Sequence, residues 1–149
     1  MVTEFLRTHA EWLRKKVEFL KRFSEKLSPA AERRLFFIWK ARALVLAEAK
    51  MTEHNRRYGF SWRKVAVRNS RSRWGSCSSK GTLCFNYKIV FLPEHLADYL
   101  VVHELCHLKE HNHGKSFWSL VEKSVPDYKL RRIELRDFER TFKPPANDI

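Results

Sequence analysis

Leucine falls at positions 6, 13, 20 and 27 with Ala10 and Val17 between them. The apolar residues therefore alternate four and three apart, the seam of a heptad helix. Phe5, Trp12, Phe19 and Phe23 widen that seam, and Glu recurs at 4, 11, 18 and 25. Bases three or four residues after Glu11 (Arg14, Lys15) and Glu18 (Lys21, Arg22) favour an exposed helical face. Ser28–Pro29 ends this helix and starts a second, from about Ala30 to Glu53, apolar at 35, 38, 41, 45 and 49. Phe36, Phe37, Leu44 and Leu46 make other faces apolar too, so this helix is expected to be central, and the two form a helical hairpin over 1–55. Past Gly59 the period changes to two. "KVAVRN" at 64–69 and "TLCFNYKIVFL" at 82–92 read as strands, and the Ser- and Gly-rich "SRSRWGSCSSKG" between them as a loop ending in a turn at Lys80–Gly81. Two or three antiparallel strands are expected. Pro93–Glu94 opens a helix that runs into a histidine-rich stretch and is interrupted at Asn112–Gly114. "KSFWSLVEKSV" gives a short helix, and Asp127 is the expected N-cap of "YKLRRIELRDFERTF". The pattern divides into the hairpin, an α+β unit over 56–143 and a frayed tail over 144–149.

Composition narrows the class. Of 149 residues, 44% are hydrophobic and 32% charged, the balance of a globular protein. The densest apolar run, "LFFIW" at 35–39, is followed at once by Lys40 and Arg42, so no membrane span is expected. Acids and bases interleave from the N-terminus, which is unlike a signal peptide. Three cysteines without a pairing pattern suit a reducing compartment, and a cytoplasmic location is expected. The net charge of +13 is unevenly placed: residues 54–93 contain no acid at all. Arg56, Arg57, Arg63, Lys64, Arg68, Arg71, Arg73, Lys80 and Lys88 fall in the stretch 56–88 and form a candidate polyanion-binding surface, for DNA or RNA.

The sharpest chemistry lies in "HELCHLKEHNHG" at 103–114. On a helix His103 and His107, four apart, share a face one turn apart and can bind one ion. Glu104, beside the first, can reach a water on that ion without being a ligand, which is the mechanical content of His-Glu-x-x-His. His111 would continue the stripe, but at 1.5 Å per residue it would stand about 12 Å along the axis from His103. Three histidines of one straight stripe cannot converge, so the third ligand must return after a bend. His113, between Asn112 and Gly114, lies on that bend and is the choice; His111 becomes a pocket or surface residue. Three neutral imidazoles leave one position of a single zinc ion open for a water whose pKa falls toward neutrality. Glu104 would take the proton as that water attacks a carbonyl and pass it to the leaving amine. Arg73, Asn86, Tyr87, His111 and Tyr128 are possible oxyanion or substrate contacts. Cys106 reads as a small buried hydrophobe, and Cys77 and Cys84 lack the partner spacing of a metal site.

"SRWGSC" at 72–77, "FNYKIVFLP" at 85–93, "DYLVVHELCHLKEHNHGKSFW" at 98–118 and "VPDYKLRR" at 125–132 together resemble the YgjP-like family of zinc-dependent metallopeptidases, relatives of the WLM and SprT-like proteases. The resemblance implies zinc on His103, His107 and His113 and catalysis by Glu104. It also implies a zincin-like α+β fold, the active helix packed beneath a small antiparallel sheet. An edge strand of that sheet would hold an extended peptide by strand addition, with "TLCFNYKIV" the natural candidate. Two departures stand out: a heptad-patterned hairpin replaces the family's strand-rich N-terminal portion, and Gly114 follows the third histidine where Ser is usual. Glu110 stands where metzincins have their turning Gly, so that family is not indicated.

Three functional classes follow. The first is a zinc peptidase acting on peptides or proteins. The second is a nucleic-acid-associated module or protease, by analogy with the SprT-like relatives. The third is an interaction protein whose heptad helix pairs with another copy and whose zinc is structural. Glu104 argues against the third, because a structural site has no use for a base.

Overall fold

The computed structural model describes residues 10–12, 14–16, 18, 29–70 and 73–141. The leucines of the expected first helix lie outside these. Its described residues are helical, with Glu11 3.8 Å from Lys15 and Trp12 partly buried against the core.

The second expected helix, α1 (Pro29–Tyr58), runs a turn further than its pattern suggested. Its buried face also differs from the expected stripe. Ala43, Ala47, Lys50 and Met51 are buried, while Ile38, Ala41, Val45 and Ala49 are exposed. The cause is complementarity of size: bulky Ile89, Phe91 and Phe85 come from the partner elements, and the helix meets them with alanines, which let the backbones approach. Lys50 tolerates burial because Asp98 lies 2.6 Å from its ammonium.

Three strands follow: β1 (Lys64–Arg68), β2 (Gly75–Cys77) and β3 (Thr82–Asn86). Their spatial order is β1-β3-β2, with β2 antiparallel to β3 but β1 parallel to it, so the sheet is mixed rather than antiparallel. The chain leaves β1, passes over an empty strand position, descends as β2 and turns back into the gap. Two reversals return β3 to the direction of β1. The turn at 78–81 carries Gly81 at φ +84°, a left-handed conformation that glycine adopts without strain. Strand β2 lies within the segment expected to be loop, its three residues too few to show an alternation.

The expected strand 82–92 ends early, at Asn86. That side chain accepts from the Lys88 backbone amide, and its amide group donates to the carbonyls of Ser70 (2.7 Å) and Arg73 (3.1 Å). This clamp turns the chain into a 3-10 turn, Tyr87–Phe91, despite the strand propensity of "YKIVF", and drives Ile89 and Phe91 against α1.

Helix α2 (Glu94–Cys106) starts on the carbonyl of Pro93, as its sequence indicated. Nine of its thirteen residues are buried, so it runs through the middle of the molecule. Helices α3 (Lys115–Ser124) and α4 (Tyr128–Thr141) flank it. Asp127 sits just before α4, its carbonyl accepting from Arg131 and its carboxylate 2.9 Å from the Arg131 guanidinium. Two buried clusters result. One joins α1, the sheet, the 3-10 turn and one side of α2; the other joins Tyr99, Val102 and Cys106 of α2 to Phe117 and Val121 of α3. Among the described residues no helix is long and apolar enough to cross a membrane.

Candidate metal centre

Helix α2 ends at Cys106, and His107 caps it in a still-helical conformation. The chain then reverses. Leu108 donates to Leu105, and Glu110 to the carbonyl of Cys106, so residues 107–110 tighten into turns. This early end removes His111 from the helix altogether, and the reversal brings His113 back over the last turn. The Nε2 atoms of His103, His107 and His113 stand 3.1–3.2 Å from one another. His111 is exposed and outside this group.

The donor chemistry fits a cation. Burial, reinforced by the neighbouring imidazoles, pushes His103 down to about 3, and burial lowers His107 as well, so both are neutral at pH 7. His107 donates from Nδ1 to the Glu110 carbonyl at 2.9 Å, which leaves its Nε2 a bare lone pair. His103 Nδ1 lies 3.3 Å from the Tyr99 hydroxyl, which orients it in the same sense. Bare nitrogen lone pairs facing one another repel unless a cation lies among them. A tetrahedral ion bonded at about 2.0–2.1 Å separates its ligand nitrogens by about 3.3 Å, close to the observed spacing.

Glu104, next to His103 on α2, is packed against the sheet. It is 4% exposed, and its Oε2 has no hydrogen-bond partner among the described residues. Strand β2 presses on it so closely that a Cβ at Gly75 would lie 2.9 Å from its Cγ and Oε1. Glycine at 75 is therefore what allows the strand and the carboxylate to share this space. Burial raises the Glu104 carboxyl to about 8, partly offset by the positive field of Arg73.

Aromatic rings close the other side. Phe117, fully buried, stacks on His107 at 4.3 Å and meets His103 and His113 edge-on. Trp118 lies against His113 and stacks on Tyr128 at 4.9 Å. The Arg132 guanidinium stands 4.5 Å over the Trp118 ring. Of these, only Tyr128 was singled out from the sequence. Tyr99 had a readable signal, lying four residues before His103 on the same helical stripe. Phe117, Trp118, Arg132 and Gly75 had none, since their roles depend on how α3, α4 and β2 dock.

The remaining expected contacts divide. Arg73 is exposed, and its charge reaches Glu104. Asn86 spends its side chain on the loop 70–73 and the 3-10 turn, which removes it from the available donors. Tyr87 packs on Phe36 and Phe91 in the α1 cluster rather than among the histidines. In the basic stretch, Lys88 is buried, within reach of the charge of Glu139, and is not a surface base. Arg57 donates to the Lys123 carbonyl at 2.6 Å. Arg56, Arg63, Lys64, Arg68, Arg73 and Lys80 are exposed, and Arg71 lies outside the described residues. Cys106 is fully buried, as its reading as a small hydrophobe requires.

A family model described as YgjP-like, metallopeptidase domain, matches residues 23–138, a span that includes α1. The metallopeptidase zymogen abylysin of Pyrococcus abyssi shares 28% identity with this chain, over 63% of it and 93% of abylysin, at a TM-score of 0.55. The metallopeptidase zymogen jannalysin of Methanocaldococcus jannaschii shares 22% identity over 64% of this chain and 97% of jannalysin, at a TM-score of 0.53, a likeness of fold. No curated protein sequence matches.

Proposed function

The chain belongs to the YgjP-like family of metallopeptidases, and from that premise we propose that it hydrolyses peptide bonds with one zinc ion held by His103, His107 and His113 and with Glu104 as general base. The observation that carries this reading is the triangle of Nε2 atoms, 3.1–3.2 Å on a side, at the end of the helix that bears Glu104. When bound, zinc supplies a Lewis acid for the scissile carbonyl and makes water a stronger acid. The protein does the rest. Glu104 Oε2, without a partner among the described residues, takes a proton from the attacking water and delivers it to the amine as the carbon–nitrogen bond breaks. Burial raises this carboxyl, so the ionised form that accepts the proton would rely on the charge of a cation bound beside it. Phe117 excludes water from beneath the imidazoles, while Tyr99 and the Glu110 carbonyl hold the His103 and His107 rings in register. Arg73 and Tyr128 remain the donors to a developing oxyanion.

The strand that would receive substrate differs from the one expected. "TLCFNYKIV" contains β3, which is central and has both edges occupied. The edge nearest Glu104 belongs to β2, so an extended peptide would add there. Glu104→Gln tests the mechanism: zinc content should hold while peptide hydrolysis falls about 10²–10⁴-fold. Undiminished turnover in a zinc-loaded Gln variant removes the base.

A second proposal concerns charge. Arg56, Arg63, Lys64, Arg68, Arg73 and Lys80 are exposed and have no acidic partner among the described residues, an arrangement that favours contact with a polyanion such as DNA or RNA.

A further inference from the structure

Arg131 and Arg132 are neighbours in sequence with opposite situations. Arg131 is paired with Asp127 at 2.9 Å. Arg132 is exposed, has no carboxylate partner among the described residues, and lies over Trp118 instead. Trp118 is itself fixed from two sides, stacked on Tyr128 and laid against His113. A guanidinium resting on an indole keeps its N–H edge free, and that edge matches a carboxylate bidentately. Glu104, next to His103 in the chain, is buried against β2 and cannot serve as that partner.

We propose that Arg132, seated on the Trp118–Tyr128 stack, is a specificity-determining residue that recognises a carboxylate of the substrate beside the scissile bond. This rests on the peptidase reading above. The two ring distances set the guanidinium within about 10 Å of His113, which about three extended residues span at about 3.3 Å each. The carboxylate therefore belongs to an Asp or Glu side chain within three residues of the cleaved bond, or to a free C-terminus equally close. Arg73 adds a second positive charge on the Glu104 side, so the whole site attracts anionic substrates.

The test uses the zinc-loaded full chain and fluorogenic peptides in matched pairs, Asp against Asn at each flanking position and free carboxylate against amide at the C-terminus. For one kind of pair, kcat/KM should favour the carboxylate about tenfold, mostly through KM. Which kind it is identifies the source. The ratio should fall to about one in Arg132→Gln and survive in part in Arg132→Lys. The proposal is overturned if no pair discriminates, or if the ratio survives intact in Arg132→Gln. Fluorescence anisotropy of the same labelled peptides on zinc-loaded Glu104→Gln gives a readout independent of turnover. If the parent cuts no peptide, the peptidase reading fails separately, and equal affinity of Glu104→Gln for both members of every pair still overturns the role of Arg132.

Discussion

His113 and His111 differ by two positions and by everything that decides function. One has its Nε2 within 3.2 Å of two other imidazoles, and the other is exposed to solvent. His113→Ala is therefore expected to empty the site, or to weaken zinc so far that gel filtration strips it, whereas His111→Ala should retain about one zinc per chain. Elemental analysis of the two purified variants decides, and the reverse pattern would transfer the third ligand to His111. At this scale the sequence was informative, because the i, i+4 spacing and the reach of a helix are local geometry. It was silent on Gly75, whose importance comes from a carboxylate 29 residues away in the chain. It was misleading at Asn86, whose polar side chain suggested a donor for substrate and serves instead as a clamp on its own loop.

Among elements, the contact that positions α2 is a polar one with α1. Lys50 and His54 converge on Asp98, at 2.6 and 3.0 Å, with Glu94 3.6 Å from Lys50. Burial pushes the Asp98 carboxyl up, but hydrogen bonds and charge from His54 and Lys50 outweigh it and hold the group below the usual carboxylate range. A depressed pKa contributes stability that is present above the unfolded value, about 3.9, and is lost as pH falls through the folded one. Asp98→Asn should thus destabilise the protein by about 2 kcal/mol at pH 7, because it removes the nearer carboxylate of buried Lys50 and leaves it the exposed Glu94, 3.6 Å away. The gap from the parent should begin to narrow as pH falls below about 3.9 and close only once pH has passed the depressed folded value, where acid does to the parent what the substitution does at any pH. Urea titrations of both proteins at pH 7 and in steps downward from about pH 3.9 measure it, and a gap that stays constant throughout would assign the loss to packing. Helix existence and order were legible from periodicity, as was the turn at Gly81. The face that α1 buries was not, since large apolar residues lie on several sides of the helix: Trp39 packs on Phe91, but others face solvent. Phe37 and Val45 are 60% and 68% exposed, while Ala43 and Ala47 are fully buried.

Across the whole molecule, charge and core are organised by different rules. The acid-free stretch 54–93 is not one surface once folded, because Lys88 is buried near Glu139 and Arg57 binds the end of α3. Apart from Arg57, six exposed bases remain among the described residues, and if about four reach phosphates, log K for a duplex should fall with log salt at a slope near −3.6. Anisotropy with labelled single- and double-stranded oligonucleotides at several salt concentrations checks this, and no binding at low salt would leave the +13 as a contribution to solubility alone. By itself the sequence determined the helices, the strands β1 and β3, the α+β class, the His-Glu-x-x-His helix and the bend that carries His113. All of these rest on spacings of a few residues, which the local geometry of the chain converts directly into direction. Only the tertiary structure decided that β1 runs parallel to β3, that β2 is the strand over Glu104, and that Phe117, Trp118 and Arg132 gather around the imidazoles. Those outcomes depend on which surfaces dock at a distance along the chain, where small side chains such as Gly75 and Ala47 admit a neighbour and large ones do not. No local pattern encodes that selection.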